Sequence, residues 1–173
     1  MAKKAQKGTN KKGTTRTPDQ DGFLKKIQLG IFFLGALLYA NTLGHEYTQD
    51  DAIVIYDNMY TTQGIKGIPG LLTKDTFFGF FKVEGKSRLV QGGRYRPLTP
   101  VMFALEWQLV GRSPWLGHLV NIILYGITGV VIFQLLHWLG RFSQFAKQAL
   151  PFAIAGTVLY LVHPLHTEAV ANI

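Results

Sequence analysis

The sequence predicts an all-α integral membrane protein: a multi-pass bundle of about three membrane helices with a partly helical first outer loop. Three observations predict it. Residues 27–44 and 115–139 form two runs without a single charged side chain, and about 18 such residues suffice to cross a bilayer's hydrocarbon core as a helix. A shorter apolar run follows at 149–162. The basic tail and the short connection between the second and third runs carry the basic residues and fall on one side of the membrane, as the positive-inside rule requires.

Residues 1–26 hold eight Lys or Arg against two Asp, set among Gly, Thr, Gln and Asn. With too little apolar surface to form a core, they read as a disordered basic cytoplasmic tail. Nucleic-acid binding is the usual alternative for such a tail, but here the charge abuts "IQLGIFFLGALLYANTLG", residues 27–44, the first membrane helix. A cleaved signal peptide fits less well, because the basic region is too long and the apolar run exceeds the usual length. The absence of cysteine leaves the redox compartment open.

Residues 45–114 form the outer loop, lumenal or periplasmic. In "RPLTPVMFALEWQLVGRSP" the sequence suggests Thr99 as N-cap, Pro100 at the first helical position and Gly111 as the stop. The apolar remainder suits a helix resting on the membrane, and 68–81 is expected to do the same. The second membrane helix, 115–139, is flanked by tryptophans suited to the two interfaces. Residues 140–148 contribute Arg141 and Lys147 with no acid and belong in the cytoplasm. The third helix, 149–163, has only about 14 apolar residues, a length that also suits a re-entrant segment; with Phe145 and Ala146 added and Lys147 snorkelling, it just crosses. A break is expected at His163 and Pro164, then a surface helix over 164–173.

Four groups carry candidate chemistry. Asp50 and Asp51 in "HEYTQDDAIVI" follow the first helix closely; paired carboxylates there suit a general base or a cation site, and equally a solvated acidic turn. Arg94 and Arg96 in "GRYRPL" suit a clamp on a lipid-borne phosphate, or generic headgroup contact. His118, Asn121, Tyr125 and Thr128 fall on one face of the second helix, either bonding to other helices or lining a cavity. "HPLHTEAV" supplies His163, His166 and Glu168. The His-x-Glu from His166 to Glu168 also occurs in zinc deaminases, but their cysteine ligands are missing here. The His-x-x-His pair offers two metal ligands without an evident third, and His166 and Glu168 stand about 200° apart on a helix. No phosphate-cradling loop or nucleophile elbow is present.

Taken together and in order, "HEYTQDDAIVI", "RYRPLTPVMFALEWQLVGRSPWLGHLVNIILY" and "HPLHTEAVANI" resemble the N-terminal part of the transmembrane and tetratricopeptide-repeat (TMTC) proteins. These are multi-pass GT-C glycosyltransferases related to protein O-mannosyltransferases. The resemblance implies transfer of a sugar, typically mannose, from a polyprenyl-phosphate carrier to Ser or Thr hydroxyls of exported proteins. It places the catalytic acid pair on Asp50 and Asp51, the lipid-phosphate contacts on Arg94 and Arg96, and His163, His166 and Glu168 in the same cavity. It implies no nucleotide sugar and no soluble cofactor, and leaves a divalent cation open. Expected partners are membrane lipid, the lipid-linked donor and an exported acceptor protein, with no nucleic acid. The chain stops at Ile173 in mid-helix, so it is expected to be part of a longer chain and not active by itself. Two rival readings remain: a non-catalytic membrane anchor or scaffold for a tetratricopeptide-repeat region, and a small transporter or lipid-binding subunit using the polar stripe of the second helix.

Overall fold

A computed structural model describes residues 18–48, 50–82, 95–144 and 146–173, and among them the protein is helical throughout, with no strand. Arg94 and the first 17 residues of the basic tail lie outside the described residues.

The first helix, α1, spans Pro18–Leu38 and so departs at both ends from the expected 27–44. Proline suits a first helical turn, and Asp21 complements the positive end of the helix dipole. Lys25 and Lys26 are good helix formers whose exposed side chains continue the helix outward. The other end stops early because Ala40–Gly44 tightens into a 3₁₀ turn. There the Thr42 hydroxyl donates to the Tyr39 carbonyl at 2.8 Å, the kind of local bond that competes with a helix ladder.

The segment after α1 is partly helical among its described residues. A π-helical turn at Ala52–Tyr56 leads to a kinked 3₁₀ segment at Thr61–Gly67, then α2 (Ile68–Thr73), α3 (Phe78–Phe81) and α4 (Leu98–Val110). Asn58, fully buried, organises this region: its amide donates to the Ile53 and Thr76 carbonyls, and its Oδ1 accepts the N–H groups of Tyr60 and Thr61. Four bonds satisfy a group that is costly to bury unpaired. Thr99 is not the N-cap of α4. The helix begins at Leu98, with Pro97 in the capping position and no side-chain capping bond, because Pro97 already sets a helical backbone (φ −67°). Pro100 then lies within the first turn, where its missing N–H costs little. Gly111, at φ 63°, ends the helix in a conformation that favours glycine.

The long helix α5 spans Trp115–Gly140. Among the described residues it is the one helix long and apolar enough to cross a membrane. Helix α6, Ala149–Leu161, has 13 residues and is about 20 Å long at the usual rise, short of a roughly 30 Å hydrocarbon core. It stops before His163 and Pro164, which lie in the connection to α7 (His166–Ala171).

Helices α1, α5 and α6 pack together around Ile31, Ile122, Tyr125, Phe133, Ala153 and Leu161. Gly126 permits the closest crossing: a Cβ there would lie 2.8 Å from the Phe32 ring. The outside of this bundle is also apolar. Phe33 and Leu37 on α1, Val131 and Leu135 on α5, and Phe152 and Leu159 on α6 are all more than half exposed. Contiguous apolar exposure of this kind marks a surface that meets lipid or another protein segment.

Candidate active site

The segment leaving α1 folds back over the N-terminal end of α5, and this brings together side chains distant in sequence. Asp51 starts the π-helical turn and is 3% exposed. Its Oδ2 accepts the Thr48 backbone N–H at 2.7 Å and the Thr48 hydroxyl at 3.1 Å, while the Asp51 N–H donates back to the Thr48 carbonyl at 3.2 Å. This reciprocal arrangement follows the logic of a capping box, a Thr three residues before an acid. No hydrogen bond among the described residues reaches Oδ1.

Burial raises the Asp51 pKa above the ordinary carboxylate range. The Thr48 hydrogen bonds and the nearby His118 oppose the rise, while Asp50 adds to it. Asp50 itself is exposed. The two carboxylates therefore occupy different environments, and Asp51 is the one enclosed in the fold.

His118, from the first turns of α5, is in electrostatic reach of Asp51 and is 1% exposed. Its ring makes an edge contact with His45, centroids 6.0 Å apart, and is in reach of the His45 backbone without a well-formed hydrogen bond at either nitrogen. Glu106 approaches from α4. One carboxylate oxygen, Oε2, lies 3.2 Å from where a Cβ on Gly117 would sit, and the other, Oε1, is buried without a partner. Burial pushes the Glu106 pKa from 4.5 to about 7. Tyr47 lies in electrostatic reach of Glu106, Asp51 and Arg112, and the Arg112 guanidinium sits 4.7 Å above the Tyr56 ring.

His45 also joins this cluster to the break after α6. A cleft of about 370 Å³ is walled by Leu38 and Leu161 on its apolar side and by His45, His163 and Thr167 on its polar side. His163 is exposed, and its Nδ1 accepts the Leu165 N–H at 3.2 Å. His166 does not line that cleft. Its ring packs on Tyr160 at 4.2 Å and faces Tyr125 at 5.8 Å. Glu168 is exposed and outside the cleft. Arg96 is exposed, and its backbone N–H donates to the Thr76 hydroxyl at 3.3 Å. The structure thus brings His45 and His163 to one cleft, with the His166 ring edge-on to His163 at 6.0 Å, while Asp50, Glu168 and Arg96 are exposed. Among the described residues no group of three or more His, Asp or Glu is placed to hold a metal ion.

The polar stripe of α5 divides its work. Asn121 donates to the Asn172 carbonyl at 2.7 Å, and the Tyr125 hydroxyl donates to the Leu161 carbonyl at 2.9 Å, just where α6 ends. Thr128 is exposed and bonds back to Leu124 within its own helix. His118 turns to the His45 backbone and ring instead, without a hydrogen bond of good geometry. His45, Tyr47, Glu106 and Arg112 were not legible as site residues. The one available signal was Glu106 as the sole acid in the apolar helix "LTPVMFALEWQLV".

Among the described residues, fold and site together define a helical protein with one membrane-capable helix and with a buried aspartate, Asp51, and a buried histidine, His118, near one end of it. In sequence it is a relative of the TMTC-type proteins. Over 137 residues, 79% of the chain, it is 34% identical to "Protein O-mannosyl-transferase TMTC1" of Homo sapiens. Over 147 residues, 83% of the chain, it is 33% identical to "Protein O-mannosyl-transferase Tmtc1" of Drosophila melanogaster. A Caenorhabditis elegans protein O-mannosyl-transferase is 30% identical over 164 residues, 91% of the chain. The chain spans 14%, 15% and 22% of the length of these three relatives. No family model and no solved structure matches it.

Proposed function

We propose that this chain supplies the acid-bearing part of a membrane O-glycosyltransferase. The enzyme transfers a sugar, mannose by analogy with its relatives' names, from a polyprenyl-phosphate carrier to Ser or Thr hydroxyls of exported proteins. Asp51 carries the reading: it is the buried member of the acid pair, held through Oδ2 by Thr48 with Oδ1 unengaged. In the reaction Oδ1 takes the proton of the acceptor hydroxyl. The hydroxyl oxygen bonds to the anomeric carbon as the bond from that carbon to the phosphate oxygen breaks, and polyprenyl phosphate leaves with the electron pair. A raised carboxylate pKa suits a base that must take a proton near neutral pH.

The exposed apolar faces of α1 and α6 support a multi-pass bundle in which both helices meet lipid or further helices. The basic tail and Arg141 and Lys147 favour a cytoplasmic N-terminus. The acid–histidine cluster then faces the lumen or periplasm. Arg94 and Arg96 remain candidates for the departing phosphate, and His163 for the cleft beside it.

The test is Asp51→Asn in the full chain in membranes, supplied with a polyprenyl-phosphate-linked sugar and an acceptor peptide. Transfer should fall at least about a hundredfold with membrane insertion unchanged. Full transfer by Asp51→Asn would refute the assignment, and a parent protein without transfer would favour the anchor or scaffold reading.

A further inference from the structure

Where α5 gives way to α6, at the end of the bundle away from Asp51, a groove of about 390 Å³ is lined by Leu139, Gly140, Ser143, Gln148, Ala149 and Phe152. That volume falls within the range of small-ligand sites, about 300–1,000 Å³. Gly140 lets the two helices close at this point, since a Cβ there would lie 2.9 Å from the Ala149 Cβ. Leu139 and Phe152, both exposed, wall the groove beside this contact. Its polar side chains are few: the Ser143 hydroxyl donates to the Gly140 carbonyl at 2.8 Å, and Gln148 makes no side-chain capping bond to α6.

We propose that this groove seats an anionic glycerophospholipid, with an acyl chain against Leu139 and Phe152 and the phosphate held by Arg141 and Lys147. The inference rests on the membrane-crossing reading of α5 given above and is independent of sugar transfer. Arg141 directly follows Gly140 and Lys147 directly precedes Gln148, so one basic residue stands at each side of the groove, and both are exposed. A free phosphate would meet the charges and leave the apolar walls in water. A neutral lipid would cover the walls and leave the charges unmatched. An anionic lipid satisfies both.

The charge of the surroundings is complementary to such a lipid. The sequence has no Asp or Glu from 107 to 167, so α5, α6 and their connection supply no acid to neutralise Arg141 and Lys147. Helix α1 runs antiparallel to α5, because Gly35 meets Gly126 while Ile31 meets Gly129. Its exposed Lys25 and Lys26 therefore lie toward the same end as Arg141. Asp19 and Asp21 are outweighed by the eight basic residues of the segment 1–26. Basic residues gathered beside a membrane helix are attracted to the anionic lipids of the cytoplasmic leaflet. The depth also fits: the exposed Trp138 ring packs edge-on against the exposed Phe142 ring at 5.0 Å, and an aromatic pair of this kind suits the headgroup level. Arg141 lies between the two.

The test places the full chain in phosphatidylcholine nanodiscs with a rising fraction of phosphatidylglycerol that carries a photoreactive diazirine in one acyl chain, and maps the labelled peptides by mass spectrometry. Labelling of residues 139–152 should saturate, and unlabelled phosphatidylglycerol should compete where added phosphatidylcholine does not. Arg141→Gln combined with Lys147→Gln, both at exposed positions, should raise the half-saturating fraction roughly twenty-five-fold, about fivefold for each basic residue at an anionic surface. Ser143→Phe, which adds a ring to the lining, should remove the saturable part. Equal labelling by a diazirine-bearing phosphatidylcholine, or an unmoved half-saturation in the double variant, overturns the proposal. Labelling spread along the exposed faces of α1, α5 and α6 with no excess at 139–152 overturns it as well and makes those faces general lipid contacts. A nanodisc offers both leaflets, so the result does not depend on which way the chain is oriented. A parent that transfers no sugar removes the proposed function and leaves the labelling to decide the groove.

Discussion

At the scale of single residues, Glu106 makes the protein's stability depend on pH. The folded chain holds a proton on this side chain up to about pH 7, where the unfolded chain releases it near 4.5. Stability from this group is therefore complete below about 4.5, falls as pH rises toward 7, and is level above that. Asp51, raised in the same direction, adds to the slope. Glu106→Gln should flatten the upper part of the decline, read as the unfolding midpoint of nanodisc-embedded protein from pH 4 to pH 8; an unaltered slope would place Glu106 in contact with water. Adjacent residues also differ in what the sequence reveals. Asp50 and Asp51 are indistinguishable as neighbours in "QDDA". They part company only because Thr48 captures one of them in a turn that buries it.

At the scale of elements, the crossing of α1 over α5 depends on the lack of a side chain at Gly126. Gly126→Leu would drive a Cβ into the Phe32 ring and should lower stability by about 1–3 kcal/mol. Gly30, one turn before Leu34 on the same α1, has open space where its Cβ would be, so Gly30→Ala should leave the unfolding midpoint unchanged or raise it. Equal effects of the two changes would show that α1 does not pack at this crossing. Element boundaries were legible where composition changes sharply. The 25 uncharged residues at 115–139 match α5 almost end to end, because an unbroken apolar run that long has few alternatives to a helix. The boundaries of α1 were less legible, since its first turns are charged and its last apolar residues are diverted into a 3₁₀ turn by a single Thr hydroxyl.

At the scale of the whole molecule, the proposed topology puts the outer loop and the connection after α5 on opposite sides of a membrane. The described chain offers two exposed reporter positions, Asp57 and Ser143, and the sequence has no native cysteine. In sealed cells or microsomes of defined orientation, a membrane-impermeant maleimide should label Asp57→Cys from the lumenal or periplasmic side and Ser143→Cys from the cytoplasmic side. Labelling of both from one side would exclude a membrane-crossing α5.

The sequence by itself determined the all-helical character, the long apolar helix, the sorted basic charge and the likeness to TMTC proteins, because these depend on composition and order along the chain. Only the tertiary structure decided which acid is buried, that His45 and His118 meet, that Glu106 reaches Gly117 from another helix, and that Glu168 stays exposed. The physical reason is that burial and electrostatic proximity are properties of the folded loop. They arise when elements distant in sequence, such as the turn after α1 and helix α4, pack against one end of α5, and no local spacing encodes where their side chains will come to rest.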